Sequence, residues 1–139
     1  MVGLVVATHG RLAEEILRTA ELIVGPLERC EAVTLGSDAS MEDARARLAG
    51  ALKRVDAGEG VLVLTDMFGG TPANLALTFL DEKVEVVTGV NLPMILKLAT
   101  ARAESLGVRA AAELVTAYGQ KNITLASELL RSRVEKGRQ

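Results

Sequence analysis

The chain is poor in the residues from which most active sites are assembled: 139 residues contain one histidine, one cysteine, no tryptophan and three other aromatic side chains. The lone Cys30 excludes an internal disulfide, and one Cys with one His excludes the usual Cys/His zinc spacings. No metal or other cofactor is expected, and a reducing compartment is the natural setting. With only Phe68, Phe79 and Tyr118 as aromatics there is no stacking platform for bases, and a formal net charge of -2 lacks the basic excess of a phosphate-backbone binder. Nucleic acid is therefore not an expected partner. No apolar run approaches the roughly 18 residues that cross a bilayer, and no basic region precedes the short hydrophobic run at the N-terminus. The expectation is a cytoplasmic protein without direct membrane insertion.

What the chain does have is aliphatic residues, which with the few aromatics and the single cysteine bring the hydrophobic share to 49%. At this length one domain is expected, able to bury roughly two thirds of the surface its unfolded chain exposes. Short β-branched runs alternate with amphipathic stretches, the pattern of βαβ units and a mostly parallel sheet. Residues 2–7 are near-continuously apolar, as for a strand covered on both faces. Residues 12–24 carry Leu12, Ile16, Ala20 and Ile23 at helical spacing and end at Gly25-Pro26. Strand 31–35 and a turn at 36–38 follow. Ser40 caps a helix whose stripe is Met41, Ala44, Leu48, Leu52 and Val55.

Residues 61–65 form the most apolar strand and deliver Asp66 to its carboxyl end. Residues 66–70 are a loop, Thr71 is the expected N-cap, and Pro72 fits the first helical position of a helix running through Leu75 and Phe79. Strand 83–88 turns through 89–91 into a helix opening at Leu92-Pro93, and residues 110–118 read as helical. Residues 122–126 alternate as a short strand, although a helix continuing through Leu130 fits the same pattern. Residues 131–139 read as a charged, solvated tail without periodicity.

In open α/β sheets ligands sit beyond the carboxyl ends of the strands where strand order reverses; for a flavodoxin-like order 2-1-3-4 that point lies between strands 1 and 3. Strand 1 runs into Thr8-His9-Gly10 and strand 3 into Asp66-Met67-Phe68-Gly69-Gly70-Thr71-Pro72. Such an order makes His9 and Asp66 neighbours. A carboxylate holding one ring N–H fixes the imidazole tautomer and leaves a lone pair on the other nitrogen. The two glycines, the Thr71 hydroxyl and a helix start supply what a phosphoryl group needs. Each piece alone has a plainer reading: a turn histidine, a loop-capping aspartate, a good helix start. Cys30 reads as buried filler, Arg11 as a phosphate or partner contact or a solvated first-turn residue, and Phe68 as a partner contact or a core plug.

Together, Thr8-His9-Gly10, the run Thr65-Asp66-Met67-Phe68-Gly69-Gly70-Thr71-Pro72-Ala73-Asn74, and Gly89-Val90-Asn91-Leu92-Pro93-Met94 resemble the IIA component of the mannose/fructose/sorbose family of the bacterial phosphoenolpyruvate:sugar phosphotransferase system. The resemblance spans nearly the whole chain in order and spacing. It implies an α/β flavodoxin-like three-layer sandwich with a mainly parallel sheet of order 2-1-3-4. It also implies a homodimer in which a short antiparallel C-terminal strand is exchanged. Residues 1–130 would be a single IIA domain, and 131–139 the tail.

It implies further that His9 is phosphorylated through Nε2, receiving the group from the carrier HPr and passing it to a IIB component. Asp66 would hold Nδ1. Gly10, Gly69, Gly70 and Thr71 would cradle the phosphoryl group, and Arg11, Phe68 and Asn91 would face the partner. Ala73 stands where family members often carry a large apolar residue. The family's Ala/Pro-rich linker to a fused IIB domain does not follow here, which points to a separate IIB partner or to a stand-alone regulatory phospho-acceptor. The phosphotransfer domain of dihydroxyacetone kinase systems fits less well, since it typically lacks the Gly-Gly-Thr-Pro-x-Asn and Gly-Val-Asn-Leu-Pro motifs. A nucleotide- or flavin-binding domain fits poorly, for want of a G-x-G-x-x-G run or a Walker lysine.

Overall fold

A computed structural model describes residues 1–36 and 40–137. Along the chain come β1 (Gly3–His9), α1 (Leu12–Val24), β2 (Cys30–Leu35), α2 (Met41–Val55), β3 (Val61–Thr65), α3 (Thr71–Leu77), β4 (Val84–Thr88), α4 (Leu92–Ala101), α5 (Val108–Lys121) and α6 (Ala126–Gly137). The four strands form one parallel sheet of order β2-β1-β3-β4. The turn expected at 36–38 lies partly outside the described residues, as does the end of the tail.

The sheet is covered on both faces, which is why its central strands are apolar at consecutive positions rather than alternate ones. Leu4 and Val6 of β1 and Leu62 and Leu64 of β3 pack with Ala13, Leu17, Ile95, Leu98 and Val115 of α1, α4 and α5. Val5, Ala7, Val61 and Val63 point the other way, into Leu48, Leu52, Leu75 and Ala76 of α2 and α3. The result is a three-layer α/β sandwich in the expected strand order. Because β1 is flanked by β2 on one side and β3 on the other, the chain changes direction across the sheet between β1 and β3. The loops after these two strands therefore share one crevice.

Several local expectations are corrected. The buried positions of α1 are Ala13, Leu17 and Ala20, whereas Leu12 and Ile23 are exposed. The face is rotated because the apolar arc of this helix, opposite Glu14, Glu15, Arg18 and Glu21, is wider than the surface that packs, and contact with Val6 and Leu64 takes the Ala13 side and leaves Leu12 and Ile23 at the edge. Met41 is likewise exposed, while Ala44, Leu48, Leu52 and Val55 are buried as expected. Ser40 caps α2, its Oγ accepting from the Asp43 N–H at 3.0 Å. Gly70, not Thr71, is the N-cap of α3, and Thr71 is its first helical residue. That helix ends at Leu77, and Phe79 lies beyond it, still packed on the core with the Arg45 guanidinium 4.4 Å from its ring centroid.

At the C-terminus, residues 123–125 are not in a strand, and α6 occupies much of the stretch expected to be an aperiodic tail. An isolated strand has nowhere to place its backbone N–H and C=O groups without an edge to pair with. Within a single chain, helix is the conformation that satisfies them locally. None of α6 is buried.

Candidate functional site

The site begins with Thr8 and His9 at the end of β1. Thr8 is fully buried, and its Oγ1 accepts the Ala13 N–H at 2.8 Å. This hydroxyl does the capping that the formal N-cap, Arg11, leaves undone with its own side chain. It ties the end of the strand to the first turn of α1. Gly10 takes a left-handed φ of 55°, and the short turn leaves His9 at the rim with its side chain 51% exposed.

Across the crevice, Asp66 follows β3 directly. Its Oδ2 accepts from His9 Nδ1 at 2.7 Å and from the His9 backbone N–H at 3.1 Å, while Oδ1 accepts the Met67 N–H at 3.1 Å. Partial burial pushes this carboxyl up. The bonds from the His9 side chain and backbone outweigh it, and the net shift is below the ordinary value. An ionised carboxylate can only accept, so Nδ1 carries a proton, and in the neutral ring that leaves the lone pair on Nε2. The pair thus presents a solvent-facing imidazole nitrogen in its nucleophilic form.

The other wall is the loop 66–70. Gly69 needs its left-handed φ of 86°. Gly70 is in extended backbone, so conformational freedom is not what it supplies. A Cβ there would lie 2.7 Å from His9 Cε1 and 3.4 Å from Nε2, which means the Gly70 backbone rests against the edge of the ring that carries the lone pair. The first intrahelical bond of α3 is Asn74 N–H to Gly70 O, 2.9 Å. The N–H groups of Thr71 and Ala73 precede it and have no acceptor within the helix. Asn74 Nδ2 donates to Gly69 O at 3.3 Å and closes the loop on itself.

The remaining candidates divide. Phe68 is 76% exposed beside the crevice, with Met67 exposed next to it, so neither plugs the core. Arg11 is exposed and paired with acids: Nε lies 3.2 Å from Glu14 Oε2, and a terminal nitrogen 3.9 Å from Glu15 Oε1. Asn91, expected at the partner surface, ties α4 to α5. Its Oδ1 accepts the Met94 N–H at 3.2 Å as the cap of α4, and its Nδ2 donates to Gly119 O of α5 at 3.1 Å. Thr8 and Asn74 also shape the site, and both leave a signal in the sequence: a hydroxyl closing a strand, and an Asn two residues after a Gly-Gly-Thr-Pro run. Among the described residues no group of three or more His, Cys, Asp or Glu could hold a metal ion. No helix among them is long and apolar enough to cross a membrane.

Comparison with known proteins points one way. The sequence model for the PTS system fructose IIA component matches residues 3–116. The mannose-specific EIIAB component of Escherichia coli (strain K12) is 34% identical over 103 residues, covering 73% of this chain and 32% of the relative. The match thus spans about a third of that relative's length. The PTS fructose-specific EIIA component of Bacillus subtilis (strain 168) is 28% identical over 132 residues, covering 94% of this chain and 90% of the relative. A solved mannose/sorbose specific IIA subunit of the phosphotransferase system from Enterococcus faecalis superposes with a TM-score of 0.79 at 35% identity, covering 88% of this chain and 92% of its own.

Proposed function

The chain belongs to the PTS fructose IIA component family, and from that premise we propose that it is a cytoplasmic phosphocarrier in which His9 takes a phosphoryl group at Nε2 from the phosphohistidine of HPr and passes it to a IIB component during sugar uptake. The observation that carries the reading is the 2.7 Å contact between His9 Nδ1 and Asp66 Oδ2. In the transfer the Nε2 lone pair forms a bond to phosphorus as the P–N bond of the donor breaks, and the electron pair of that bond returns to the donor imidazole. The Nδ1 proton stays in place, so the ring becomes cationic as Nε2 is substituted, and the Asp66 carboxylate offsets that charge.

Phosphoryl transfer asks mainly for positioning and charge stabilisation. The backbone at Gly10, Gly69 and Gly70, the Thr71 hydroxyl and the open N–H groups of the first turn of α3 supply donors around Nε2. Phe68 and Met67 offer an apolar contact to the protein that brings or removes the group.

A homodimer belongs to the same proposal. The outer edge of β4 pairs with no strand among the described residues, and β4 is only half-buried throughout. Ile123 and Leu125, with the whole of α6, are exposed. Residues 122–126 of a second copy, laid antiparallel on β4, would satisfy both edges. Sedimentation should give twice the chain mass of 14.7 kDa, and Ile123→Asp with Leu125→Asp should halve it. A monomer at tens of micromolar would end this part of the reading.

Incubation with phosphoenolpyruvate, the general first enzyme and HPr should place one acid-labile phosphate on the protein, and His9→Gln should abolish it. Persistent labelling of that variant would sink the phosphocarrier assignment.

A further inference from the structure

Among the described residues, the loops that follow β1, β3 and β4 (10–11, 66–70 and 89–91) contain a single basic residue, Arg11. Asp66 holds the other ring nitrogen of His9, and in the first turn of α1 Glu14 and Glu15 hold Arg11, two residues along from His9. A dianionic group added to Nε2 would therefore share the ring with the Asp66 carboxylate. Among the described loop residues Arg11 is the cation that can balance it; Arg47 of α2, at the end of β2, is already held by Thr34 O at 3.0 Å.

Resting on the phosphocarrier reading, we propose that Arg11 is a switching counter-ion, held by Glu14 and Glu15 while His9 is free and transferred to the phosphoryl oxygens when Nε2 carries the group. Its reach is set by the chain: one residue separates it from His9, so the two Cα atoms lie within about 7.6 Å. The side chain is 72% exposed, so it can swing without disturbing the core.

The acid it leaves behind is already held from the other side. Glu14 Oε1 accepts from Thr34 Oγ1 at 3.1 Å, whereas Arg11 engages Oε2. Thr34 in turn sits opposite Thr8 in the β1–β2 register. Glu14 thus stays in place when Arg11 departs, and the two states differ by the position of one guanidinium. A phosphoryl group offers that fork two oxygens and a double charge, against single contacts at 3.2 Å and 3.9 Å from two carboxylates. Glu14 and Glu15 then tune how tightly the carrier holds its cargo. Arg11 fastens the group, and the acids compete for Arg11.

The test is the exchange equilibrium with a small donor, phosphoimidazole, which gives phospho-His9 and free imidazole by breaking one P–N bond and forming another. Phosphorus NMR reads the equilibrium constant directly. Arg11→Ala should lower it about fivefold, the size of one exposed ion pair, and Arg11→Lys should restore part of the loss. Glu14→Gln should raise it about twofold by releasing Arg11. The gap between wild type and Arg11→Ala should narrow in 0.5 M salt as the pair is screened, on the order of the shortened Debye length. Equal constants for wild type and Arg11→Ala, both carrying phosphate on His9, would overturn the role of Arg11 and leave the phosphocarrier reading standing. Absence of any signal in wild type that His9→Gln removes would overturn both.

Discussion

His9 and Asp66, 57 residues apart in sequence, are joined twice: Oδ2 of the aspartate takes the ring Nδ1 at 2.7 Å and the backbone N–H at 3.1 Å. Two bonds from one residue to one oxygen fix the imidazole plane relative to its own backbone. That is orientation and tautomer control in a single contact. It is available only because β1 and β3 are adjacent and parallel, with Ala7 opposite Thr65 in the register.

Asp66→Asn tests that control. An Asn side chain placed with its NH₂ group toward Nδ1 favours the tautomer with the lone pair on the wrong nitrogen. The phosphoryl exchange rate of this variant should fall by about 10²- to 10⁴-fold, as when a histidine loses its orienting carboxylate elsewhere. Circular dichroism should show the fold retained. Exchange near the wild-type rate would show that tautomer control is not what Asp66 contributes.

The same carboxylate has a consequence for stability against pH. Its proton affinity is lower in the folded chain, because the hydrogen bonds from His9 outweigh partial burial. A group depressed in this way stabilises the fold above its unfolded pKa of about 3.9. The contribution is lost as pH falls through the lower folded value. Chemical denaturation of wild type and Asp66→Asn between pH 5 and pH 3 should show a difference that shrinks below about pH 4. A difference that grows between about pH 4 and pH 3 would contradict the charge state assigned to Asp66.

The adjacent glycines of the loop should fail in different ways. Gly70→Ala places a methyl 2.7 Å from His9 Cε1 while its backbone remains in ordinary extended conformation. The protein should fold, but the ring must move, and exchange should fall by more than about tenfold, since small misplacements of a reacting group are costly. Gly69→Ala meets nothing within 4 Å but forces a left-handed φ of 86° on an L side chain. It should cost about 1 kcal/mol of stability and less activity than Gly70→Ala. The reverse order in a paired melting and exchange assay would show that Gly70 does not pack on the ring as described.

The switch point was legible because its signals are local: a continuous apolar run in β3, an Asp immediately after it, and a His at the very end of β1. Neither strand needed distant information, and together with the connection pattern they set the two loops side by side. Facing was less legible. Leu12, Ala13, Ile16, Leu17, Ala20, Leu22, Ile23 and Val24 leave α1 with almost no polar stripe on its apolar arc, so periodicity cannot choose between Leu12 and Ala13 for the core. Contact with the sheet makes that choice. The segment after Asn122 was ambiguous for a related reason: whether it pairs as strand depends on an edge that a single chain does not supply.

Arg102 had no signal at all, since its partners lie near the other end of the chain. Its guanidinium is buried and donates to the carbonyl oxygens of Val2 at 3.1 Å, Arg29 at 3.2 Å and Glu28 at 2.8 Å. It closes the end of the sheet opposite the His9 crevice. Arg102→Met keeps the stem but strands these carbonyls, and should cost about 2 to 4 kcal/mol in denaturant unfolding. Phosphoryl exchange at His9 should be unchanged once the protein is folded. Loss of exchange in the folded variant would reveal coupling between the two ends of the sheet.

Cys30 reports on the same end. Burial is the main cause that pushes its thiol up to about 11, with Arg102 pulling the other way and Glu21 and Glu31 adding to the rise. At pH 8 the thiolate is then scarce, and alkylation by iodoacetamide should run about 100-fold slower in the native protein than in urea, because the thiolate is the reacting form. Arg102→Met removes the nearby cation, which by charge alone would make the thiolate scarcer still. It also releases the backbone at Glu28 and Arg29, directly before Cys30, which exposes the sulfur. If the clamp is what keeps the thiol covered, alkylation in Arg102→Met accelerates despite the lost positive charge; slower alkylation would mean that electrostatics, not backbone closure, governs this cysteine.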